Sequence, residues 1–284
     1  MDMTAINWYP GHMAKTKRII GENLKNIDIV IEILDSRIAR SSKNNEVDVI
    51  INEKPKLILL NKCSLSDMNV TRSWCSFYEK TGAHTLPTDC ITNYGIDKLF
   101  PLIKEILKDK IERKKAKGMV IVPIKMMVLG VPNVGKSSLI NTLLKSKKVK
   151  VEDRPGVTRV KQWITINKEF DILDMPGILA PKLESATAGL NLSVTGAIKD
   201  QINDLEYLAA YLLDIVNKEY PKALLLRYKV QQDLSLKGYE VLSLVGKKRG
   251  FLVSGGEIDT ERTAIMVLDE FRAGKLGNIS LERV

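Results

Sequence analysis

The stretch GVPNVGKSS, residues 130–138, carries the residue types that hold nucleotide phosphates. It fits the spacing G-x-x-x-x-G-K-[ST], it follows an apolar stretch of strand length and it precedes a helical pattern. The glycines let backbone N–H groups turn toward phosphate oxygens, and Lys136 reaches the terminal phosphates. The Ser137 hydroxyl is placed as a magnesium ligand. The residues predicted to line a nucleotide in this loop are Asn133, Val134, Gly135, Lys136, Ser137 and Ser138.

A second motif, DMPG, lies at residues 174–177, at the end of a strand-like pattern. In this position Asp174 would hold Mg2+ and the Gly177 N–H would sense the terminal phosphate. Between the two motifs lies DRPGVT, in which Thr158 is a candidate second magnesium ligand on a loop, the alternative being an ordinary turn residue. We therefore predict a metal-assisted phosphate site with Ser137, Thr158 and Asp174 as metal ligands.

The segment LLNKCS, residues 59–64, resembles the N-K-x-D motif with which GTPases recognise guanine. In that motif Asn holds the sheet edge together, the Lys stem covers the base and Asp accepts two hydrogen bonds from guanine. Here Ser64 stands where the Asp is expected, and Cys90–Ile91 in TDCIT stand where the second base loop is Ser-Ala-like. Without the phosphate loop, a strand end with a helix cap would be the preferred interpretation. The candidate base-site residues are Asn61, Lys62, Cys63, Ser64, Cys90 and Ile91.

The order of these motifs differs from that of an ordinary GTPase. The base-recognition segment comes first, at 61–64, and the phosphate loop follows at 130–138. This order predicts a circular permutation, which one sheet tolerates because the chain ends of a domain often lie close together. The α/β core then ends just after Gly177, so that a conformational change at this residue would be transmitted directly to the helical domain that follows.

Strand and helix patterns alternate over the first part of the chain, which favours a doubly wound, mostly parallel sheet. Predicted strands are residues 27–35, 55–61, 84–88, 123–130, 162–167 and 170–174, the last two forming a hairpin, and predicted helices are 67–82, 95–118 and 136–145. Beyond about residue 180, helical patterns at 190–200, 205–220 and 260–275 dominate. We predict an α/β domain of the permuted P-loop GTPase class over residues 1–180 and a small all-α domain over 185–284.

Composition adds limits on partners and location. The 284 residues carry a formal net charge of +10, which favours a polyanion such as nucleic acid as a partner over an acidic surface, although a merely soluble basic protein fits equally well. The 3 cysteines have no metal-ligand spacing, which favours a reducing, cytoplasmic setting. No apolar run approaches the ~18 residues of a membrane span, so we expect no membrane partner.

Taken together, these motifs resemble the YlqF-like circularly permuted GTPases of the ribosome biogenesis GTPase A family. The segments that carry the resemblance are NWYPGHMAK (7–15), LDSRI (34–38), NK (61–62), GVPNVGKSSLIN (130–141), DRPGVT (153–158), LDMPGIL (173–179), VTGAIKD (194–200) and KRG…SGG (248–256). The resemblance implies a Mg2+-dependent GTPase that acts in maturation of the large ribosomal subunit, with GTP and GDP as ligands. It also implies a helical C-terminal domain that contacts ribosomal RNA. The departure at Ser64 predicts weakened preference for guanine over adenine.

Hydrolysis needs a group that orients water, and the Gln that follows D-x-P-G in small GTPases is replaced by Ile178. We expect the segment around His12 to fold over the nucleotide and His12 to position the water. The alternative is that His12 is a turn or RNA-contacting residue. Asn133 resembles the Asn of potassium-activated GTPases, so K+ is a possible second cation, although a loop Asn that favours the turn fits as well.

Basic segments favour an RNA partner. Residues 145–161 hold seven Lys and Arg against two acids and include the Thr158 loop. Contact of this segment with ribosomal RNA of a large-subunit precursor would link binding to hydrolysis, and turnover would be slow without the particle. The competing interpretations are an assembly factor that binds RNA and nucleotide but scarcely hydrolyses it, and an NTPase with relaxed base preference.

Overall fold

The computed structural model describes residues 18–51, 54–118, 123–145, 162–175, 177, 183, 185–200 and 204–284. Its centre is one six-stranded sheet in the order β3-β2-β1-β4-β6-β5. The strands are β1 (Ile29–Asp35), β2 (Lys56–Asn61), β3 (His84–Pro87), β4 (Ile124–Leu129), β5 (Gln162–Ile166) and β6 (Phe170–Asp174). Adjacent strands are parallel except β5, which forms the predicted antiparallel hairpin with β6. The predicted fold class is confirmed.

Helices surround and follow this sheet. Residues 18–24 of the described chain are helical and are called α1. The others are α2 (Asn45–Ile51), α3 (Met68–Lys80), α4 (Leu99–Ile106), α5 (Lys108–Ala116), α6 (Lys136–Lys145), α7 (Ala186–Val194), α8 (Leu205–Glu219), α9 (Pro221–Tyr228), α10 (Gly238–Arg249) and α11 (Thr260–Arg272). Short 3₁₀ turns span Ser36–Ile38, Cys63–Leu65 and Ile96–Lys98.

Both faces of the sheet are covered, as a parallel sheet requires. Every residue of β1 is buried. Alternate side chains of a strand point to opposite faces, so Ile31 and Ile33 join the core beneath α4 and α6, whereas Val30 joins the core beneath α1 and α2. This explains why the strand is mostly apolar and lacks a polar-apolar alternation, with Glu32 as a buried exception in its interior.

The functional motifs meet because parallel strands end at the same edge of the sheet. Asp35 at the end of β1 lies opposite Asn61 at the end of β2. On the other side β1 pairs with β4, which leads into the phosphate loop, and β4 pairs with β6 so that Val128 lies opposite Asp174. The crevice beyond the carboxyl ends of such strands is the usual ligand site of open α/β sheets.

The C-terminal helices form a second core of their own, with Leu213, Val245 and Leu268 fully buried among α8, α10 and α11. Helix α7 joins the two cores, because Leu192 packs into the sheet core and Leu190 into the helical core. The predicted boundary at 180–185 precedes α7 and stays a prediction.

The predicted helix over 95–118 is interrupted. It begins as the 3₁₀ turn Ile96–Lys98 and breaks at Leu107 into α4 and α5. The apolar residues of α4 enter the core, whereas no residue of α5 is buried, so the two parts have different surroundings. The predicted helix over 190–200 ends at Val194, and α9 and α10 were not predicted.

Candidate functional site

The phosphate loop connects β4 to α6 and depends on its two glycines. Gly130 has φ +154°, and a Cβ there would lie 2.6 Å from the Ile33 carbonyl oxygen. Gly135 has φ +105°, and a Cβ there would collide with the Asn61 side-chain amide. Any larger residue at either position would push apart the loop and the neighbouring strand ends.

Lys136 turns back into this loop. Its Nζ donates to the carbonyl oxygens of Gly130 at 3.0 Å and Val131 at 2.8 Å. Burial lowers the pKa of Lys136 to about 8, and the nearby Asp174 carboxylate acts in the opposite direction. The cation is therefore held inside the loop, where phosphate oxygens would replace the two carbonyl partners.

Asn61 joins the base segment to the phosphate loop. Its side-chain Nδ2 donates to the Val134 carbonyl at 2.7 Å. Its Oδ1 accepts from the Cys90 thiol at 3.3 Å and lies 3.5 Å from the Thr88 hydroxyl. One buried side chain thus connects three segments that are far apart in the sequence.

Lys62 crosses from the base segment to the same loop. Its backbone is left-handed, with φ 58°, and its Nζ donates to the Asn133 carbonyl at 2.6 Å. The ammonium also lies 3.1 Å from the Asp35 carboxylate. Burial raises the pKa of Asp35, but the charges of Arg37 and Lys62 outweigh it and hold the pKa well below its usual value. An ionised Asp35 therefore fixes the direction of the Lys62 side chain.

The rest of the predicted base site lies around Ser64 and the loop after β3. Cys63 and Cys90 are buried thiols, and burial raises their pKa to about 12 and about 11. Ile91 is 86% exposed, so its side chain is open to a ligand or to solvent. Ser64 is half-buried, and its hydroxyl donates to the Asp89 carboxylate.

Sequence reasoning missed Asp89. It is buried with 3% exposure, and its Oδ1 accepts the backbone N–H groups of Ile91 at 2.8 Å and Thr92 at 3.0 Å. The signal that was available is an acid in TDCIT, the second base loop, in a chain whose first base loop has none.

Of the predicted metal ligands, Ser137 and Asp174 belong to the described residues and lie at the phosphate loop. Ser137 and Ser138 are exposed on the first turn of α6. Asp174 is half-buried at the end of β6, where burial raises its pKa and the Lys136 charge lowers it. Gly177 packs against Pro132, since a Cβ there would lie 3.0 Å from the Pro132 nitrogen. A hard cation requires oxygen ligands, and the hydroxyl and carboxylate here supply them.

Asn133 has a second connection. Its Nδ2 donates to the Gly196 carbonyl at 2.6 Å, so the phosphate loop is bonded to the turn that follows α7. The predictions for His12, Thr158 and Ile178 lie outside the described residues. Arg18, at the start of the described chain, pairs with Glu22 at 3.5 Å.

Comparisons with known proteins agree with this geometry. Residues 125–237 match the family model described as a 50S ribosome-binding GTPase. The chain is 43% identical to "Ribosome biogenesis GTPase A" of Bacillus licheniformis over 98% of each chain. It is 32% identical to mouse "Mitochondrial ribosome-associated GTPase 1", covering 97% of this chain and 90% of that protein.

A solved structure also matches. The GDP-bound structure of YlqF from T. maritima superposes with a TM-score of 0.62 at 25% identity, covering 94% of this chain and 99% of that one. In the described part of the chain, no helix is both long enough and apolar enough to cross a membrane.

Proposed function

This chain belongs to the ribosome biogenesis GTPase A family, and from that premise we propose that it binds and hydrolyses GTP as an assembly factor of the large ribosomal subunit. The observation that carries the proposal is the junction between the two halves of the nucleotide site. Asn61 and Lys62 each donate a hydrogen bond to a carbonyl of the phosphate loop, at 2.7 Å and 2.6 Å. A ligand with a base at one end and phosphates at the other would span this junction.

On the phosphate side, Lys136 would bind the terminal phosphates, and the N–H groups of Gly135 and its neighbours would cradle them. Ser137, Thr158 and Asp174 would hold Mg2+, which supplies neutralisation of phosphate charge when bound. The exposed Ser137 hydroxyl and the Asp174 carboxylate beside the loop fit such an ion. Gly177, packed against Pro132, would report the presence of the terminal phosphate.

Water activation is assigned to His12, because Ile178 has no polar group. A hydrolysis-competent site would then form only when the N-terminal segment is placed over the nucleotide. Contact with the particle would place it there, so turnover of the protein alone should be slow.

The partner we propose is a large-subunit precursor and its ribosomal RNA. Support comes from the net charge of +10 and from exposed cations that lie away from the sheet core, such as Lys247 and Lys248 at the end of α10. Residues 145–161 would add contacts beside the Thr158 loop. Binding through such cations releases counterions from the RNA.

Turnover of GTP and ATP, measured with and without large-subunit particles, tests the proposal. We expect slow GTP hydrolysis that the particles accelerate, and loss of hydrolysis in Lys136→Ala. Tight nucleotide binding with no turnover under any condition would instead identify an RNA-binding factor that uses nucleotide only as a ligand. Equal turnover of ATP would identify an NTPase with relaxed base preference.

A further inference from the structure

The first base loop of this chain has a serine where an acid is expected, and the second base loop carries an acid beside its Ser-Ala-like position. The family pattern puts an Asp in the first loop and a Ser in the second. Here Ser64 occupies the acidic position of the first loop, and Asp89 lies in the second. The two side chains are hydrogen-bonded to each other across 25 residues of sequence, with Ser64 as the donor.

Asp89 determines which way the Ser64 proton points. Its Oδ1 is taken by the N–H groups of Ile91 and Thr92, and its Oδ2 accepts from the Ser64 hydroxyl. Burial raises the pKa of Asp89, but these hydrogen bonds outweigh it and leave the pKa below its usual value. An ionised carboxylate can only accept, so the single hydroxyl proton is committed to Asp89. The Ser64 hydroxyl can then act only as a hydrogen-bond acceptor toward any other group.

The pair is positioned on the base side of the nucleotide site. The Cys63 N–H donates to the Thr88 carbonyl at 3.1 Å, which holds the two loops side by side. Asn61 and Lys62, just before Ser64, are the residues bonded to the phosphate loop. Asp89 is buried, whereas Ser64 is half-buried and therefore more accessible than its partner.

We propose that Asp89 locks the Ser64 hydroxyl as an acceptor and that this hydroxyl reads the N–H donors of guanine, an inference that rests on the proposed GTPase function. At ring position 1 and the adjacent position 2, guanine presents N–H donors, whereas adenine presents a ring-nitrogen acceptor and a C–H; its amino donor lies where guanine has its carbonyl oxygen. An acceptor facing an acceptor leaves both groups unpaired, which is the costly case in a buried site. Ser64 is then a specificity residue and Asp89 its positioning residue. Strong preference for guanine replaces the weak preference that Ser64 alone suggested.

The substitution Asp89→Asn reverses the hydrogen bond without emptying the site. The N–H groups of Ile91 and Thr92 require an oxygen at the Oδ1 position, so the new amide nitrogen faces Ser64. The amide then donates to Ser64, and the released hydroxyl proton points toward the base. A donor in that place repels guanine and suits adenine.

Calorimetric titrations with GDP and with ADP, both with Mg2+, test this in the full chain. We expect the parent to prefer GDP strongly. Asp89→Asn should weaken GDP by roughly tenfold or more and tighten ADP, while Ser64→Ala should weaken GDP by a similar or smaller factor and should not weaken ADP. Asp97→Asn, the same chemical change at an exposed position of the same segment, should alter neither affinity.

A second test moves the carboxylate from the second base loop to the first. Ser64→Asp alone would place two carboxylates in contact and should weaken GDP. The double variant Ser64→Asp with Asp89→Ser removes that repulsion and should recover GDP affinity and preference. A GDP-to-ADP ratio that is the same in the parent, Asp89→Asn and Ser64→Ala would overturn the inference alone. A parent that binds neither nucleotide would overturn the proposed function together with it.

Discussion

At the scale of single residues, Asp35 positions other side chains of the site, although it is not itself predicted to contact the nucleotide or the metal. It accepts from Arg37 Nε at 2.9 Å and Nη2 at 2.7 Å, and it lies 3.1 Å from Lys62 Nζ. Arg37 is 1% exposed and its guanidinium lies 5.0 Å from the centre of the Phe271 ring on α11. The motif LDSRI therefore supports both the base segment and the packing of the C-terminal helices.

Asp35→Asn should destabilise the protein by about 3–5 kcal/mol at neutral pH, because it leaves the buried Arg37 without its counter-ion. The folded-state pKa of Asp35 is lowered, so the contribution of the charge is complete above the unfolded pKa of about 3.9 and is lost as pH falls through the folded pKa. Urea unfolding of parent and variant between neutral and acidic pH checks this. A constant difference down to low pH would contradict it.

His12→Ala should lower particle-stimulated GTP hydrolysis by about a hundredfold or more, the range for loss of a proton-handling or water-positioning group. Affinity for GTP should stay nearly the same, since the base and phosphate contacts are elsewhere. Single-turnover hydrolysis with large-subunit particles measures the effect. His84→Ala, at an exposed end of β3, is the control and should hydrolyse like the parent. Equal rates in His12→Ala and parent would remove His12 from the mechanism.

The sequence left two roles open for Asn133, a ligand of a monovalent cation and a residue that favours the turn of the loop. Its amide nitrogen is bonded to Gly196, so a monovalent cation would be held through the amide oxygen. Replacing potassium by sodium at constant ionic strength should slow hydrolysis several-fold, as loss of a charge-stabilising group does. Indistinguishable rates in the two salts would exclude the cation.

The sequence predicts the parts of the site that lie within one short motif. It does not predict the parts that depend on contacts between residues far apart in the chain. The phosphate loop follows from a motif with a strand before it and a helix after it, whereas the bond from Asn61 to this loop was not predicted. The role of Asp89 depends on a contact with Ser64 across two loops, and spacing does not report such a contact.

At the scale of elements, residues 279–282 are hydrogen-bonded to the base segment and to the turn after β1. The Ile279 N–H donates to the Leu65 carbonyl at 3.0 Å, and the Leu281 N–H to the Arg37 carbonyl at 2.8 Å. Glu282 accepts from the Arg40 N–H at 2.8 Å and from Asn191 on α7 at 2.9 Å. Residues 279–282 thus connect the turn after β1, the base segment and the first C-terminal helix.

Glu282→Ala should lower the free energy of unfolding by about 1–3 kcal/mol, since it leaves part-buried donors unpaired. Arg283→Ala is the control, because Arg283 is an exposed residue paired with Glu219 at 3.4 Å and surface pairs contribute about 0–1 kcal/mol. Chemical denaturation of both variants gives the comparison. Equal losses in the two would show that the tail is held by burial of its apolar residues alone.

Two of the helices that were not predicted, α9 and α10, contain residues that usually indicate a break in a helix. Gly238 and Gly246 lower the helix propensity of α10, yet a Cβ on Gly238 would collide with the Ala210 carbonyl of α8, and one on Gly246 would lie 2.6 Å from Ile258. Close packing requires glycine at these two positions, and the same glycines make α10 difficult to recognise in the sequence. Pro221 reads as a break but is the first residue of α9, where its fixed φ suits a helix start. The strands were easier, because buried parallel strands are short apolar runs.

At the scale of the whole molecule, the nucleotide site is bonded to the C-terminal region from both sides. The phosphate loop reaches it through Asn133 and Gly196, and the base segment reaches it through the chain end. A change in the loop that accompanies GTP binding or hydrolysis would therefore alter how the helices are held. This is the arrangement expected of a switch whose output is binding to a large partner.

The most direct test of this account is the affinity for large-subunit precursor particles, measured by co-sedimentation with a non-hydrolysable GTP analogue and with GDP over a range of salt. We predict tighter binding with the analogue, because the terminal phosphate orders the Thr158 and Gly177 loops, and a steep loss of affinity as salt rises. Affinity that is the same with both nucleotides and insensitive to salt would contradict the account.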